Sequence, residues 1–286
     1  MLLSNLSKLI DVKKIYCFKY DKHFSSITSN SKLVNKKTIF IFDKNTKSKK
    51  IYIEEAIKNK SPAIISNKYF KFINIPQFIV SDINLETTVL LKNIYRKLPY
   101  KTVAVTGTNG KTSVVWYLSQ ILSKLNYNTC TSGTLGFFRN GKKINDTYLT
   151  TPAYEELYKY GHYPKERNFF IFEASSHALD QNRIGNYPID IAAITNISHD
   201  HLDYHKNYLN YKKAKFKLFT NHLSQRGYGV INARIKNISN FVKKITKMGI
   251  KTKFFGKKNI CFEVKNGYYN LYLNKNIYKI KKLNLH

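Results

Sequence analysis

The chain has 286 residues, 43% of them hydrophobic and 14% aromatic, enough for two domains with a sizeable core and too apolar for wholesale disorder. Its 49 Lys and Arg against 17 Asp and Glu give a net charge of +32, but the excess is nearly all lysine, runs from end to end, and comes with heavy use of Asn, Ile, Tyr and Phe. These residues share A/T-rich codons, so a biased genome accounts for the charge, and no helix-turn-helix, RNP or zinc-finger pattern marks a specific nucleic-acid partner.

No segment approaches the roughly 18 uninterrupted apolar residues of a membrane span. The start, MLLSNLSKLIDVKK, is too short and too polar for a secretory signal. Cys17, Cys130 and Cys261 are far apart and form no CxxC pair, which argues against a disulfide framework or a zinc knuckle. A reducing, cytoplasmic setting is the expectation.

In chain order, KKTIFIF (Lys36 to Phe42) and SPAIISN (Ser61 to Asn67) are β-rich runs, and IYIEEAIKNK between them has helical spacing. That is a small α/β unit. A break falls at KLPYKT, Lys97 to Thr102, where a proline precedes a new strand. Strand TVAVT then leads through TGTNGKT into the amphipathic helix TSVVWYLSQILSKL. NFFIFEASS (Asn168 to Ser176) and IDIAAITNIS (Ile189 to Ser198) read as buried parallel strands ending in polar residues. Sites of open α/β sheets lie at such strand ends. NYLNYKKAKFKLF (Asn207 to Phe219) reads as a helix in which Tyr208, Tyr211, Lys215 and Leu218 share one face. Lys212, Lys213 and Lys217 fall on other faces as solvated charges. After about Gly227 short strands and lysine-rich turns are expected, and there is no internal repeat. The fold class is α/β, a small N-terminal α/β domain over 1–98 followed by a mostly parallel P-loop sheet domain over 99–286.

TGTNGKT, Thr106 to Thr112, carries the strongest local signal. A strand, a glycine turn and a helix start bring backbone N–H groups and a helix dipole onto a phosphate. Lys111 can reach the β- and γ-phosphates and Thr112 can place its hydroxyl on Mg²⁺. The match to GxxxxGK[ST] is imperfect, with Val105 at the first glycine position and a glycine instead at Gly107. Glu173, ending a hydrophobic strand, either adds a hard oxygen ligand for the cation or faces solvent. Ser175, Ser176 and His177 imitate a nucleophile and base, but neighbours at a strand end diverge, which argues against a serine hydrolase. Arg183 can hold an anionic group bidentately. SHDHLDYH (Ser198 to His205) reads as part of a second divalent-cation site, a zinc hydrolase site, or a solvated loop. Lys215, placed on an apolar stripe, either snorkels or is buried with its charge lost or compensated.

Taken together, TGTNGKT, TTP (Thr150 to Pro152), EASSHALDQNR (Glu173 to Arg183), TNISHDHLDYH (Thr195 to His205) and YKKAK (Tyr211 to Lys215) resemble, in order and spacing, the Mur ligase family of ATP-dependent amide-forming enzymes. Among its types the motifs are nearest to MurE, which adds the third amino acid to UDP-MurNAc-L-Ala-D-Glu in peptidoglycan synthesis. SSHALDQNR is the most type-specific piece; the P-loop and HDHLD are shared more widely. The strong resemblance spans Val103 to Phe219.

What the resemblance implies is attack of a substrate carboxylate on the γ-phosphate of ATP, then displacement of phosphate from the acyl phosphate by an amine. Gly107, Thr108, Asn109, Gly110, Lys111, Thr112 and Ser113 would hold ATP. Thr112 and Glu173 would bind one Mg²⁺, with His201 and a carbamylated Lys215 at a second. Lys111, Glu173, His201 and Lys215 would form the catalytic set. Thr150, Thr151, Ser175, Gln181 and Arg183 would bind the UDP-MurNAc-dipeptide. TSNSK (Thr28 to Lys32) resembles the family's DSR uridine segment, with Ser31 as the contact and Asn30 and Lys32 departing from it. The domains become a UDP-substrate domain (1–98) and an incomplete central ATP domain (99–286). INARIKN also departs, with Arg234 and Ile235 in place of an acidic pair. The family's C-terminal domain, which receives the amino acid (diaminopimelate or lysine), has no counterpart. The expected partners are therefore UDP-MurNAc-L-Ala-D-Glu, an amino acid, and a separate chain supplying that domain; a fragment or a decayed gene product are the other readings. Rival functions are another Mur ligase, a folylpolyglutamate synthase, or a non-catalytic nucleotide-binding remnant.

Overall fold

The structure, a computed structural model, describes residues 1–43, 50–163 and 166–256, and the backbone of three further strands after 259. The chain falls into two units, Met1–Leu98 with Glu155–His162, and Pro99–Tyr154 with Tyr163–His286. The helix Tyr154–Gly161 belongs almost wholly to the first unit, although it follows residue 98 in the chain. Residues 282–286 of the expected second domain lie outside the described residues.

The first unit holds α1 (Leu6–Leu9), β1 (Val12–Tyr16), β2 (Ser26–Thr28), β3 (Thr38–Phe42), α2 (Lys50–Lys58), β4 (Ile64–Ser66), β5 (Gln77–Val80) and α3 (Ile83–Ile94). Its sheet runs β1-β5-β4-β3-β2, parallel except for β1 against β5. Every residue of β3, TIFIF, is buried, as a strand covered on both faces requires. On one side Phe40 and Phe42 pack with Ile53 and Ala56 of α2, Ile64 and Ile73. Asp82 caps α3 by accepting from the N–H groups of Asn84 and Leu85.

The second unit contains β6 (Lys101–Thr106), α4 (Lys111–Lys124), β7 (Asn128–Gly133), β8 (Gly136–Arg139), β9 (Lys142–Asn145), the start of α5 (Tyr154–Gly161), β10 (Asn168–Glu173), α6 (Ser176–Asp180) and β11 (Ile189–Ile194). There follow α7 (Leu202–His205), α8 (Tyr208–Lys217), β12 (Leu223–Asn232), α9 (Ser239–Lys247), β13 (Lys251–Phe255), and an antiparallel meander of β14 (Ile260–Lys265), β15 (Tyr268–Leu273) and β16 (Asn276–Lys281). The large sheet is ordered β13-β12-β11-β6-β10-β7-β8-β9, parallel from β13 to β7 and closed by two antiparallel strands. Register aligns Glu173 with Val105 and Ile194 with Thr106. The loops after β6, β10 and β11 therefore leave the sheet at one edge, the C-terminal edge where α/β sheets place ligands.

The region after Gly227 departs from expectation. β12 is ten residues long, and α9 is a helix where turns were expected. Only Phe241 and Ile245, four residues apart, are buried on α9. Ile238, Phe241, Val242 and Ile245 nevertheless follow helical spacing, so the periodicity is present in the sequence and the expectation of turns overlooks it.

Candidate functional site

The loop between β6 and α4 can be built only with glycine at two points. Gly107 has φ +148°, and a Cβ there would lie 1.8 Å from Thr195 Oγ1. Gly110 has φ +83° and precedes the first residue of α4 in the left-handed region. The loop is tied down from the end of β11. Thr108 N–H donates to the Asn196 carbonyl at 3.0 Å, and Asn109 N–H to Asn196 Oδ1 at 3.0 Å. Asn196 Nδ2 donates back to the Asn109 carbonyl at 3.0 Å, and Thr195 Oγ1 to the same carbonyl at 2.6 Å. Thr108 and Asn109 thus direct their N–H groups into the protein. The N–H groups of residues 110–113, in the first turn of α4, have no preceding helical carbonyl to meet and are the natural anion donors.

Thr112, the second residue of α4, donates to Glu173 Oε1 at 2.9 Å. Glu173 is only 1% exposed, so the solvent-facing alternative fails. Its Oε1 also accepts from Thr134 N–H at 2.8 Å, and Oε2 from Thr134 Oγ1 at 3.4 Å. Gly133 leaves room for the carboxylate, since a Cβ there would sit 2.1 Å from Oε1. A hydroxyl beside a buried carboxylate offers the hard oxygen donors that magnesium takes together with substrate phosphates; the donor set fits that ion. Gly133 and Thr134 carried no role in the sequence, and the SGTLG glycine pattern just after a buried strand is the signal that could have found them.

Lys111 folds back on its own loop, donating to the carbonyls of Gly107 (3.0 Å) and Thr108 (2.9 Å). Burial lowers its pKa, against the opposing pull of Glu173 and Asp200. Lys215 is 1% exposed and donates to the same Gly107 carbonyl at 2.8 Å. The snorkelling alternative therefore fails. Burial first, and the like charge of Lys111 second, bring its pKa down to about 7. Tyr211, one turn earlier on α8, is fully buried; its ring lies 4.4 Å from Lys215 Nζ and its hydroxyl is 3.0 Å from Thr108 Oγ1. Of the other lysines on this helix, Lys217 pairs with Asp180 at 2.7 Å and Lys212 donates to the Lys236 carbonyl at 2.7 Å.

His201 begins α7 at φ +50° and sits 3.5 Å from Asp200. Its ring centroid is 4.8 Å from that of His177 and 6.3 Å from that of Tyr211, so His201 and Lys215 border the same phenol. Among the described residues no group of three His, Cys, Asp or Glu side chains is arranged to hold a metal ion, and a zinc-hydrolase ligand set is not formed there.

Thr151, Ser175 and Arg183 come together. Ser175 N–H donates to Thr151 Oγ1 at 2.8 Å, Thr151 Oγ1 to Ser175 Oγ at 3.1 Å, and Arg183 Nη1 to the Thr151 carbonyl at 3.4 Å. Ser175 caps α6 by accepting from Ala178 N–H, a structural task that leaves no serine–histidine dyad. Arg183 Nε is buried without a partner among the described residues, so the guanidinium keeps donor capacity there. Thr150 Oγ1 accepts from Thr134 at 3.5 Å, while Gln181 Nε2 is turned to Tyr204 Oη at 3.2 Å. In the first unit, Ser31 is 4% exposed and donates to Glu55 Oε2 at 2.5 Å. Ser29 N–H in the same segment donates to the buried Glu155 at 2.8 Å.

Residues 105–282 match the Mur ligase middle domain family. The chain is 35% identical over 230 residues to the UDP-N-acetylmuramoyl-L-alanyl-D-glutamate–2,6-diaminopimelate ligase of Rickettsia bellii (strain RML369-C), covering 78% of this chain and 48% of that protein. It is 38% identical over 224 residues to the equally named protein of Rickettsia rickettsii, covering 76% and 46%. The chain thus spans about half the length of the curated relatives it matches. A solved structure of a ligase of this name aligns with 90% of this chain and 55% of its own, at a TM-score of 0.66 and 24% identity. The crystal structure of MurF from Acinetobacter baumannii covers 97% of this chain and 59% of its own, at a TM-score of 0.63 and 17% identity; at such identities the likeness speaks for the fold alone. Family match, relatives and fold agree with the motifs set at the C-terminal edge of the sheet: the chain belongs to the Mur ligase family.

Proposed function

We propose that this chain carries the nucleotide and UDP-substrate sites of an ATP-dependent ligase that joins 2,6-diaminopimelate to UDP-MurNAc-L-Ala-D-Glu. The observation that carries the reading is Lys215, a fully buried lysine whose hydrogen-bond partner is the P-loop carbonyl of Gly107. An ordinary structural lysine would be paired with a carboxylate or reach solvent. A lysine with a lowered pKa is instead poised to react as a neutral amine. Its nitrogen would attack CO₂, forming an N–C bond as one C=O electron pair moves to oxygen and the nitrogen gives up a proton. The product is a buried carbamate anion facing Lys111.

In this reading the N–H groups of residues 110–113 hold the phosphates, and Lys111 leaves the Gly107 and Thr108 carbonyls for the β- and γ-phosphates. Thr112 and Glu173 would hold one magnesium ion, His201 and carbamylated Lys215 a second; bound there, magnesium supplies charge neutralisation for phosphoryl transfer. Thr150, Ser175 and Arg183 would present donors to the anionic dipeptide, with Thr151 holding Ser175 in place and Gln181 nearby. Ser31 and its segment are assigned to the uridine. A carboxylate oxygen on the D-Glu side would take the γ-phosphoryl group as its bond to ADP breaks, and the amine would then displace phosphate from the acyl carbon and lose a proton, so the chain's main work is positioning and electrostatics.

Calorimetric titration tests the reading. The 286-residue chain is expected to bind MgADP and UDP-MurNAc-L-Ala-D-Glu, with MgADP binding lost in Lys111→Ala. Binding of a folate in place of the UDP-sugar peptide would redirect the assignment to a folylpolyglutamate synthase.

A further inference from the structure

We infer that Asn196 is a positioning residue for the phosphate loop, fixing the peptide of Asn109 so that the loop presents its donors from residues 110–113. This rests on the nucleotide-site reading above. Asn196 leaves the end of β11 and meets the Asn109 main chain at both polar atoms, accepting from its N–H and donating to its carbonyl, each at 3.0 Å. The fixed polarity of the backbone settles the orientation of the side-chain amide without ambiguity. The adjoining Thr108 N–H is held by the main-chain carbonyl of Asn196, which a side-chain change does not remove. Thr195 fills the space over Gly107 and shares the Asn109 carbonyl. One dipeptide, Thr195–Asn196, thereby sets three successive residues of the loop.

The consequence is chemical. An Asn109 N–H turned toward a phosphate would leave the Asn196 amide unpaired, and a free Asn109 carbonyl would face the anion. With both occupied, the loop needs little reordering when a nucleotide arrives, and that saving appears as affinity. The Asn196 side chain is taken up by the Asn109 main chain, so its effect on nucleotide binding would act through Asn109.

Residue-resolved amide exchange on the nucleotide-free chain, together with calorimetric titration with ADP and Mg²⁺, tests the inference. In Asn196→Ala the Asn109 amide should exchange at least about tenfold faster while the Thr108 amide stays protected, and MgADP should bind about tenfold more weakly, the scale of one or two lost hydrogen bonds. Asn196→Asp keeps the acceptor but opposes an oxygen to the Asn109 carbonyl. It should therefore retain Asn109 protection and still lose affinity, and it serves if the alanine variant does not fold. Equal Asn109 exchange in parent and Asn196→Ala, or unchanged MgADP affinity in both variants, overturns the inference. A parent chain that fails to bind MgADP removes the nucleotide reading, while the exchange comparison still decides whether Asn196 holds the loop.

Discussion

Lys215 is the residue whose surroundings conflict most with its chemistry. Its amine is removed from water and lies near Lys111, and these two effects lower its pKa from 10.5 to about 7. Between those values the unfolded chain holds a proton that the folded chain lacks. Folding is therefore penalised at and below neutral pH and relieved as the pH rises toward 10. Lys215→Met, which keeps the apolar stem and drops the charge, should exceed the parent in denaturant midpoint at pH 6. That advantage should shrink steadily by pH 10 in CO₂-free buffer. A pH-independent difference would mean that the amine is not carried into the fold. The sequence placed Lys215 on the buried face because Tyr211 and Leu218 share its helical spacing. It could not disclose Gly107 as the partner, since that contact spans more than a hundred residues.

At the scale of elements, the site is made by the ends of β6, β7, β10 and β11. β10 delivers Glu173 and β7 delivers Gly133, whose missing side chain leaves the carboxylate its place. Gly133→Ala should displace Glu173, raising the magnesium concentration needed for half-maximal nucleotide binding several-fold. Its unfolding midpoint should fall too, because Glu173 is buried and the added methyl group disturbs the hydrogen bonds it accepts from Thr112 and Thr134. Equal magnesium dependence in parent and variant would show that Glu173 has no part in the cation site. Strand–glycine–helix order made the P-loop legible, and polar residues after apolar runs marked the ends of β10 and β11. Helix α9 was legible as well, since Ile238, Phe241, Val242 and Ile245 keep helical spacing, but the lysines between them drew the reading toward turns. The allegiance of α5 to the first unit, by contrast, was hidden. Glu155 meets Ser29 there, a contact that no local pattern encodes.

Across the whole molecule, the dominant feature is a net charge of +32 with few ion pairs among the described residues, mostly at the surface. Such pairs contribute little, whereas the summed repulsion works against the compact state. The unfolding midpoint should rise as sodium chloride is raised from about 0.02 to 0.3 M, because the Debye length then shortens to a few ångströms. A midpoint independent of salt would show that the lysines are spaced widely enough not to interact. No nucleic-acid-binding pattern in the sequence accompanies this charge, and the function proposed above draws instead on a small set of side chains at one edge of the large sheet.

The most direct test of that account is ¹³C NMR of the chain equilibrated with ¹³C-bicarbonate and MgADP. One slowly exchanging protein carbamate resonance is predicted, absent from Lys215→Ala. No carbamate signal in the parent, or an equal signal in the alanine variant, would contradict the claim that the buried lysine works as an anion.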